Sequence, residues 1–241
     1  MIMLLEERTI RGLHDFLDPI LNRYAIPGGR AIDLGAGSGA LAVRLRDLGC
    51  EVIAVDLNAE RYKADIPFIP MDLNHPDFSP LGNGVFDLVT AVEVIEHLES
   101  PIVFLRHVRS LCKAGGIALI TTPNVDSVPS RLRFLLTGKL HMMDEKVPNH
   151  ISPIFYDLFL RQYLPRAGLK PVEHYFFPEN GYNVSRKSYS WIFRLIARLL
   201  PGDTLLGDVH VFVLTTQDTK RGTALDAGGM DRNVPRPSKA G

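Results

Sequence analysis

Strand-like and helix-like segments alternate through the first half of this chain, and this rhythm limits the possible folds more than any other feature. Short apolar runs predict five β-strands, at about residues 30–34, 51–56, 67–71, 85–94 and 115–124. Apolar residues at helical spacing predict helices at about 3–24, 40–48 and 93–111, with a short helical stretch before the third strand. Such alternation is typical of right-handed βαβ units, so we expect an α/β fold with a parallel sheet and helices on both faces.

The regular alternation ends at Asn124. Residues 125–149 and 179–206 mix polar, basic and apolar side chains without it, so we interpret them as insertions. The remaining segments predict a helix from about 152, a sixth strand at 170–177 and a seventh at 208–216. We therefore expect one domain over residues 1–217. Residues 218–241 carry few large apolar side chains, and this composition predicts a disordered tail.

The composition excludes several classes of protein. The chain has 241 residues with 27 Lys and Arg against 27 Asp and Glu, so no excess of positive charge indicates a nucleic acid partner. The two cysteines lack the spacing of a zinc site. The N-terminus lacks the basic and apolar regions of a signal peptide, and no run approaches the roughly 20 apolar residues of a membrane-spanning helix. We therefore predict a soluble cytoplasmic protein.

The glycine-rich segment AIDLGAGSGA, residues 31–40, follows the first predicted strand and leads into a helix. Such a turn lets the backbone approach a nucleotide, and the helix presents free N–H groups to it. Gly35, Gly37 and Ala40 satisfy the G-x-G-x-x-G/A pattern of dinucleotide-binding proteins, while Gly39 also gives G-x-G-x-G spacing. Two enzyme classes fit this segment: oxidoreductases that use NAD(P), and methyltransferases that use S-adenosylmethionine.

Three acidic residues help to distinguish these classes. Asp33 lies two residues before Gly35, where its charge would repel a pyrophosphate but attract a sulfonium or ammonium group. Asp56 ends the second strand and is placed to accept hydrogen bonds from both ribose hydroxyls, which either cofactor offers. Asp72 follows the third strand and is placed to meet an adenine amino group. Asp33 therefore favours S-adenosylmethionine.

The chain resembles the class I S-adenosylmethionine-dependent methyltransferases in the order and spacing of AIDLGAGSG, VIAVDLN, PMDL, FDLVTAVEVIEHL and KAGGIALITTPN. It is most similar to the small-molecule branch that includes the ubiquinone-pathway O-methyltransferases, strongly over residues 30–124 and weakly over 150–176. The resemblance implies a Rossmann-like, doubly wound sheet of seven strands, mostly parallel, with the last strand antiparallel. It also implies S-adenosylmethionine as the cofactor, bound by Asp33, Gly35, Ala36, Gly37, Gly39, Asp56, Leu57, Asp72, Leu73, Val92 and Glu93.

The segment VEVIEHL, after the fourth strand, supplies the candidates for chemistry. On a helix, Glu93, Glu96 and His97 would share one face at the carboxyl end of the sheet, where ligands bind in such folds. Methyl transfer to a hydroxyl or amine needs a general base, and we predict His97 in that role, with His150 as a second candidate. Two carboxylates and an imidazole could also hold a divalent metal, as the resemblance allows, but our prediction includes no metal.

The two insertions are expected to determine which acceptor binds. Both follow strands that end at the carboxyl edge of the sheet, so we predict that they cover the cofactor and form an apolar acceptor pocket faced by His97 and His150. The side chains expected to form it are Phe134, Leu135, Leu136, Met142, Met143, Trp191, Ile192 and Phe193. Because Arg194 and Arg198 lie among them, these segments either pack as a lid or contact a lipid-like acceptor or a membrane surface.

These features together predict methyl transfer to a small-molecule acceptor at an oxygen atom. Two other functions remain open. An NAD(P)-dependent oxidoreductase is disfavoured by Asp33 and by the ending GDVHVFVLTT, which is typical of an antiparallel last strand. A non-catalytic protein that binds S-adenosylmethionine and regulates a partner would carry the same cofactor motifs.

Overall fold

Seven β-strands form one mixed sheet in the computed structural model of the protein, which describes residues 5–179, 181–182, 190–199 and 205–216. The strands are β1 (Arg30–Leu34), β2 (Glu51–Asp56), β3 (Phe68–Pro70), β4 (Phe86–Ala91), β5 (Cys112–Pro123), β6 (Lys170–Phe177) and β7 (Val209–Thr215). Their order is β3-β2-β1-β4-β5-β7-β6; β1 to β5 pair in parallel, and β7 runs antiparallel to both β5 and β6. The predicted sheet, with its antiparallel last strand, is confirmed.

Helices pack on both faces of the sheet. The helices of the described residues are α1 (Leu13–Tyr24), α2 (Ala40–Asp47), α3 (Pro101–Leu111), α4 (Val128–Thr137), α5 (Tyr156–Leu158), α6 (Leu164–Ala167) and α7 (Ser190–Leu199), with a π-helical turn at Phe159–Tyr163 between α5 and α6. On one face α1 and α2 bury Leu17, Leu21 and Leu45, and on the other α3 buries Phe104 and Val108. The strands are therefore covered on both sides, as their continuous apolar sequences require.

Two predicted helical stretches are shorter than the sequence pattern indicated, and a third does not form a helix. Helix α1 begins only at Leu13, after Gly12 with a left-handed φ of 85°. The stretch at 93–111 contains a 3₁₀ turn at Ile95–His97, and α3 begins at Pro101, a residue that suits a first helical turn because no N–H donor is needed there. Between β2 and β3 the chain forms turns instead of the predicted short helix.

The topology determines where a ligand can bind. Strand β1 has β2 on one side and β4 on the other, so the chain leaves β1 and β4 in opposite directions across the sheet. A crevice forms at such a switch point, beyond the carboxyl ends of the strands. The glycine-rich turn follows β1, Asp56 ends β2, and Glu93 comes shortly after β4. All three therefore lie at the same edge of the sheet.

Two predictions fall partly or wholly outside this description. The expected disordered tail at 218–241 lies outside the described residues, as does much of the insertion at 179–206. None of the helices that the structure describes is long and apolar enough to cross a lipid bilayer.

Candidate active site

A cavity of about 550 Å³ opens where β1, β2 and β4 end, within the size range of small-molecule and cofactor sites. The glycine-rich turn lines it, and Gly35 and Gly37 both have positive φ, 78° and 57°. A Cβ atom on Gly35 would lie 2.4 Å from Cγ2 of Val94. Because no side chain fits at position 35, the backbone stays open to a bound molecule.

Asp33 lies beneath this turn and is 2% exposed. Its Oδ1 atom accepts a hydrogen bond of 2.8 Å from the Thr90 hydroxyl, while Oδ2 has no hydrogen-bond partner among the described residues. Burial, together with the nearby charge of Asp56, raises the pKa of Asp33 to about 7, although the hydrogen bond from Thr90 acts in the opposite direction. A buried carboxyl with one unsatisfied oxygen is stabilised in its charged form by a cation, so this site fits the ammonium or sulfonium group of S-adenosylmethionine.

Asp56 connects β2 to the glycine-rich turn. Its Oδ2 atom accepts the Gly37 N–H at 2.8 Å, and its Oδ1 atom accepts the Asn58 N–H at 2.9 Å. Each carboxylate oxygen keeps a further acceptor site for a ribose hydroxyl. The neighbouring Leu57 lines the cavity and is 70% exposed. An adenine ring bound beside it would cover this apolar side chain.

The other predicted cofactor residues also reach the cavity, with one exception. Ala36, Asp72, Leu73, Val92 and Glu93 line it. Gly39 does not line it: a Cβ atom there would lie 2.5 Å from Cβ of Ala64. This glycine therefore lets α2 begin close to the segment before β3, which is a packing role. The G-x-G-x-G spacing alone does not show whether a glycine packs against the protein or contacts a ligand.

Glu93 occupies a strained loop position, and the prediction of a helix there is wrong. Its φ is +55°, a value that is uncommon for residues other than glycine and is found most often at functional sites. Its N–H donates to Thr121 Oγ1 at 2.9 Å, and that hydroxyl donates to Glu93 Oε1 at 3.0 Å. Burial raises the pKa of Glu93 to about 7. The backbone turns just after β4, which ends at Ala91, and the residue after Glu93, Val94, lies against Gly35.

His97 and His150 meet at the rim of the cavity, although His97 and its hydrogen-bond partner Asn149, the residue before His150, are 52 positions apart in sequence. Their rings lie edge to face with centroids 4.7 Å apart. His97 Nδ1 lies 2.9 Å from the Asn149 carbonyl oxygen, and His150 Nδ1 lies 2.7 Å from that of Met142. Because a carbonyl oxygen only accepts, each Nδ1 carries the hydrogen, and each neutral ring keeps a bare Nε2 as a base or ligand.

Glu96 lies behind this pair and is 1% exposed. Its Oε1 atom is 4.0 Å from Nε2 of His97. Burial, followed by the charge of Glu93, raises the pKa of Glu96 well above its ordinary value. Burial and the neighbouring His97 lower the pKa of His150, so His150 is a neutral acceptor at neutral pH.

One carboxylate and two imidazoles form a donor set that could hold a divalent cation. Ligand atoms of Glu96, His97 and His150 all lie within 4.8 Å of one another. Two nitrogen donors and one oxygen donor suit zinc, iron or manganese better than magnesium. The sequence had grouped Glu93 with Glu96 and His97. In the structure, His150 takes the place of Glu93 in this group.

The segment before α1 also lines the cavity, which sequence reasoning missed. Arg8, Thr9 and Ile10 are among its lining residues. The Arg44 guanidinium holds this segment by an ion pair with Glu7 at 2.6 Å, and it also binds Asp15 at 2.9 Å. The sequence does show an arginine on the second predicted helix and several acidic residues before it. Helical spacing alone does not predict which of these acids form ion pairs with the arginine.

The predicted apolar pocket is only partly formed. Of the insertion residues expected to line it, Met142 lies in the cavity wall, joined there by Val147 and Asn149. The side chains of Phe134, Leu135, Leu136 and Trp191 are instead 54%, 79%, 80% and 59% exposed. The remaining ones, Met143, Ile192 and Phe193, are half-buried outside the cavity lining.

Asp33→Asn is expected to stabilise the ligand-free protein at pH 8 while weakening S-adenosylhomocysteine binding at least about tenfold. The folded pKa near 7 lies above the ordinary value of 3.8, so this carboxyl contributes stability that is complete below about pH 4 and is lost as pH rises through 7. The asparagine side chain does not ionise, so the variant does not lose this stability as the pH rises. Thermal unfolding should show a melting temperature higher by about 2–4 °C at pH 8 and a smaller difference at pH 5. An equal gain at both pH values would contradict this explanation.

The chain is similar in sequence to known methyltransferases. The chain matches the methyltransferase domain family over residues 5–174. It is 30% identical to the ubiquinone biosynthesis O-methyltransferase of Roseobacter denitrificans over 178 residues, 68% of this chain and 67% of that protein. It is 34% identical to the protein of the same name from Xanthomonas campestris over 116 residues, 45% of this chain and 48% of that protein. The chain thus spans about half the length of the Xanthomonas relative.

A solved structure shows the same fold. The crystal structure of a SAM dependent methyltransferase from Archaeoglobus fulgidus superposes with a TM-score of 0.59 at 19% identity, over 84% of this chain and 94% of that one. The sheet order, the open glycine turn and the acids at the strand ends define a class I S-adenosylmethionine-dependent methyltransferase fold. The chain belongs to the methyltransferase domain family, and S-adenosylmethionine is its cofactor.

Proposed function

We propose that this protein transfers a methyl group from S-adenosylmethionine to an oxygen atom of a small molecule. The observation that carries the proposal is the His97–His150 pair, whose bare Nε2 atoms stand at the rim of the cavity that Asp33 and Asp56 line. The relatives from Roseobacter and Xanthomonas are O-methyltransferases by name, which supports oxygen as the acceptor atom. The free, buried thiols of Cys50 and Cys112 support a reducing compartment such as the cytoplasm.

Each part of the cavity has a role in this reaction. S-adenosylmethionine, when bound, supplies a methyl group on a sulfonium, which needs no further activation. Asp33 and Asp56 hold its charged and ribose parts, and Asp72 with Leu57 holds the adenine. Residues 8–10, before α1, line the cavity and would limit the access of water to a bound cofactor.

The acceptor hydroxyl must lose its proton as the new C–O bond forms. Nε2 of His97 or His150 takes that proton, because the partner carbonyls hold both rings with Nε2 bare. The Glu96 Oε1 atom lies 4.0 Å from His97 Nε2, close enough for an ionised Glu96 carboxylate to stabilise the imidazolium that forms. If Glu96, His97 and His150 instead hold a divalent cation, that cation would lower the pKa of the acceptor hydroxyl directly.

The cofactor and the reaction are tested together. S-adenosylhomocysteine should raise the melting temperature by binding the folded state, whereas NADH and NADPH should not. Methyl-labelled S-adenosylmethionine should then label phenolic probes such as catechols as base-stable ethers, and amine probes much less. A shift with NADH alone would contradict methyl transfer, and labelling of amines alone would contradict the oxygen acceptor.

Two further measurements distinguish a base from a metal ion and an enzyme from a non-catalytic binder. Dialysis against a chelator should leave the rate unchanged if the imidazoles act as bases, and should abolish it, with recovery on adding metal, if a cation acts. A protein that binds S-adenosylhomocysteine tightly but labels no acceptor in any arm would be a non-catalytic binder instead.

A further inference from the structure

Helices α4 and α7 pack against each other to one side of the sheet. They share a small apolar cluster that is distinct from the two faces of the sheet, made of Val128, Leu132, Tyr182, Phe193, Ile196, Ala197, Leu205 and Leu206. This cluster accounts for only part of the apolar surface of the two helices.

The apolar stripe of α4 continues past this cluster into solvent. Val128 and Leu132 are in the cluster, and Leu135 and Leu136 follow at helical spacing on the same side of α4. Leu135 and Leu136 are nevertheless 79% and 80% exposed, and Phe134 beside them is 54% exposed. Three large apolar side chains in a row at the end of a helix have no cover in the described part of the chain.

Helix α7 exposes a second apolar stripe. Trp191 and Leu195 lie four residues apart and therefore share one side, away from Phe193 and Ile196, which belong to the cluster. They are 59% and 50% exposed. We call Phe134, Leu135, Leu136, Trp191 and Leu195 the exposed apolar surface.

Charge indicates what covers this surface. Neither helix contains an acidic residue, while together they contain Arg131, Arg133, Arg194 and Arg198. Arg133 binds Asp144, but Arg131 and Arg194 are exposed and make no ion pair with the described acids. In a chain of zero net charge, this is a local concentration of positive charge beside large apolar side chains.

We propose that the exposed apolar surface docks on a lipid bilayer that carries anionic headgroups. Short helices that expose large apolar side chains with arginines beside them show the pattern of interfacial, rather than spanning, membrane contact; here α4 exposes Phe and Leu, and α7 exposes Trp and Leu. A second copy of this chain would bring like charges together across a symmetric contact, so it fits the surface less well. The proposal does not rest on the proposed methyl transfer.

The position of the surface gives docking a consequence for the cavity. The segment that follows α4 supplies Met142, Val147, Asn149 and His150 to the cavity lining. Docking of α4 would therefore bring the rim of the cavity towards the lipid surface, from which an apolar acceptor could enter.

The chain contains a probe at the surface itself, because Trp191 is its only tryptophan. With vesicles of phosphatidylcholine mixed with phosphatidylglycerol, we expect Trp191 emission to shift to shorter wavelength and to be quenched by brominated acyl chains. With phosphatidylcholine alone, the shift should be much smaller. No shift with anionic vesicles, or an equal shift with both kinds, would overturn the proposal. So would a shift that depends on protein concentration without vesicles, because a second copy would then cover Trp191.

Matched variants locate the contact. Leu135→Asp with Leu136→Asp should weaken vesicle partition at least about tenfold. Ile26→Asp changes a residue that is 53% exposed and precedes β1, at the opposite edge of the sheet, and it should partition as the unmodified protein does. S-adenosylhomocysteine binding should be retained in both variants, which shows that they fold. Equal partition of the two variants would overturn the proposal, whether or not the enzyme methylates any acceptor.

Discussion

His97→Asn is expected to lower kcat for methyl transfer by about 100-fold or more while changing S-adenosylhomocysteine affinity less than about threefold. The asparagine amide can still donate to the Asn149 carbonyl as Nδ1 does, so the loop geometry is kept and only the Nε2 acceptor is lost. Steady-state kinetics with a phenolic acceptor would give kcat, and calorimetry would give the affinity.

His75→Asn is the matched control, because His75 is exposed and hydrogen-bonds within its own turn to Asp77. Its kcat should equal that of the unmodified protein. His150→Asn, which keeps the donor to the Met142 carbonyl, shows whether the two imidazoles serve one proton. In that case the double variant should be little slower than the slower single variant. A His97→Asn enzyme with near-normal kcat would place the base elsewhere.

Asp56→Ala is expected to reduce S-adenosylhomocysteine affinity at least about tenfold, because two charge-assisted hydrogen bonds to ribose contribute about 1.5–3 kcal/mol each. The loss should be increased by a second effect. Asp56 Oδ2 also accepts the Gly37 N–H, so its removal loosens the glycine-rich turn itself. Isothermal titration calorimetry would measure the affinity, and thermal unfolding without ligand would check the fold.

Asp47→Ala removes an exposed acid at the end of α2 whose one ion pair among the described residues is with the adjacent Arg46, and the affinity should not change. Asp56→Asn separates the two effects, because an amide oxygen can still accept from Gly37 N–H but carries no charge. Unchanged affinity in Asp56→Ala would mean that the ribose binds elsewhere in the cavity.

The parts of the site that the sequence predicted are those encoded within one strand and the turn after it. Asp33, Gly35 and Asp56 each follow from an apolar run that stops at a particular residue, and parallel pairing then brings those ends together. The antiparallel last strand was predicted by the resemblance to a known family, and the structure confirms it.

The parts that were wrong or missed depend on contacts between distant segments. Acids at positions 93 and 96 have the spacing of a helix face, but Glu93 has a positive φ and is held by two hydrogen bonds with Thr121, which is 28 positions away in sequence. The pairing of His97 with His150 depends on the Ile151 N–H, which donates to the Glu96 carbonyl and fixes the later segment against the earlier one. No pattern among residues close in sequence predicts a contact between segments so far apart in the chain.

The position of β7 has a consequence for synthesis of the protein. This strand is the last in sequence, yet it lies between β5 and β6 and is the only strand that pairs with β6 in the described sheet. On the ribosome, β6 must wait without a pairing partner until residues 209–215 have left the exit tunnel. The five parallel strands can assemble while translation continues, whereas the far edge of the sheet closes only after nearly the whole domain has emerged.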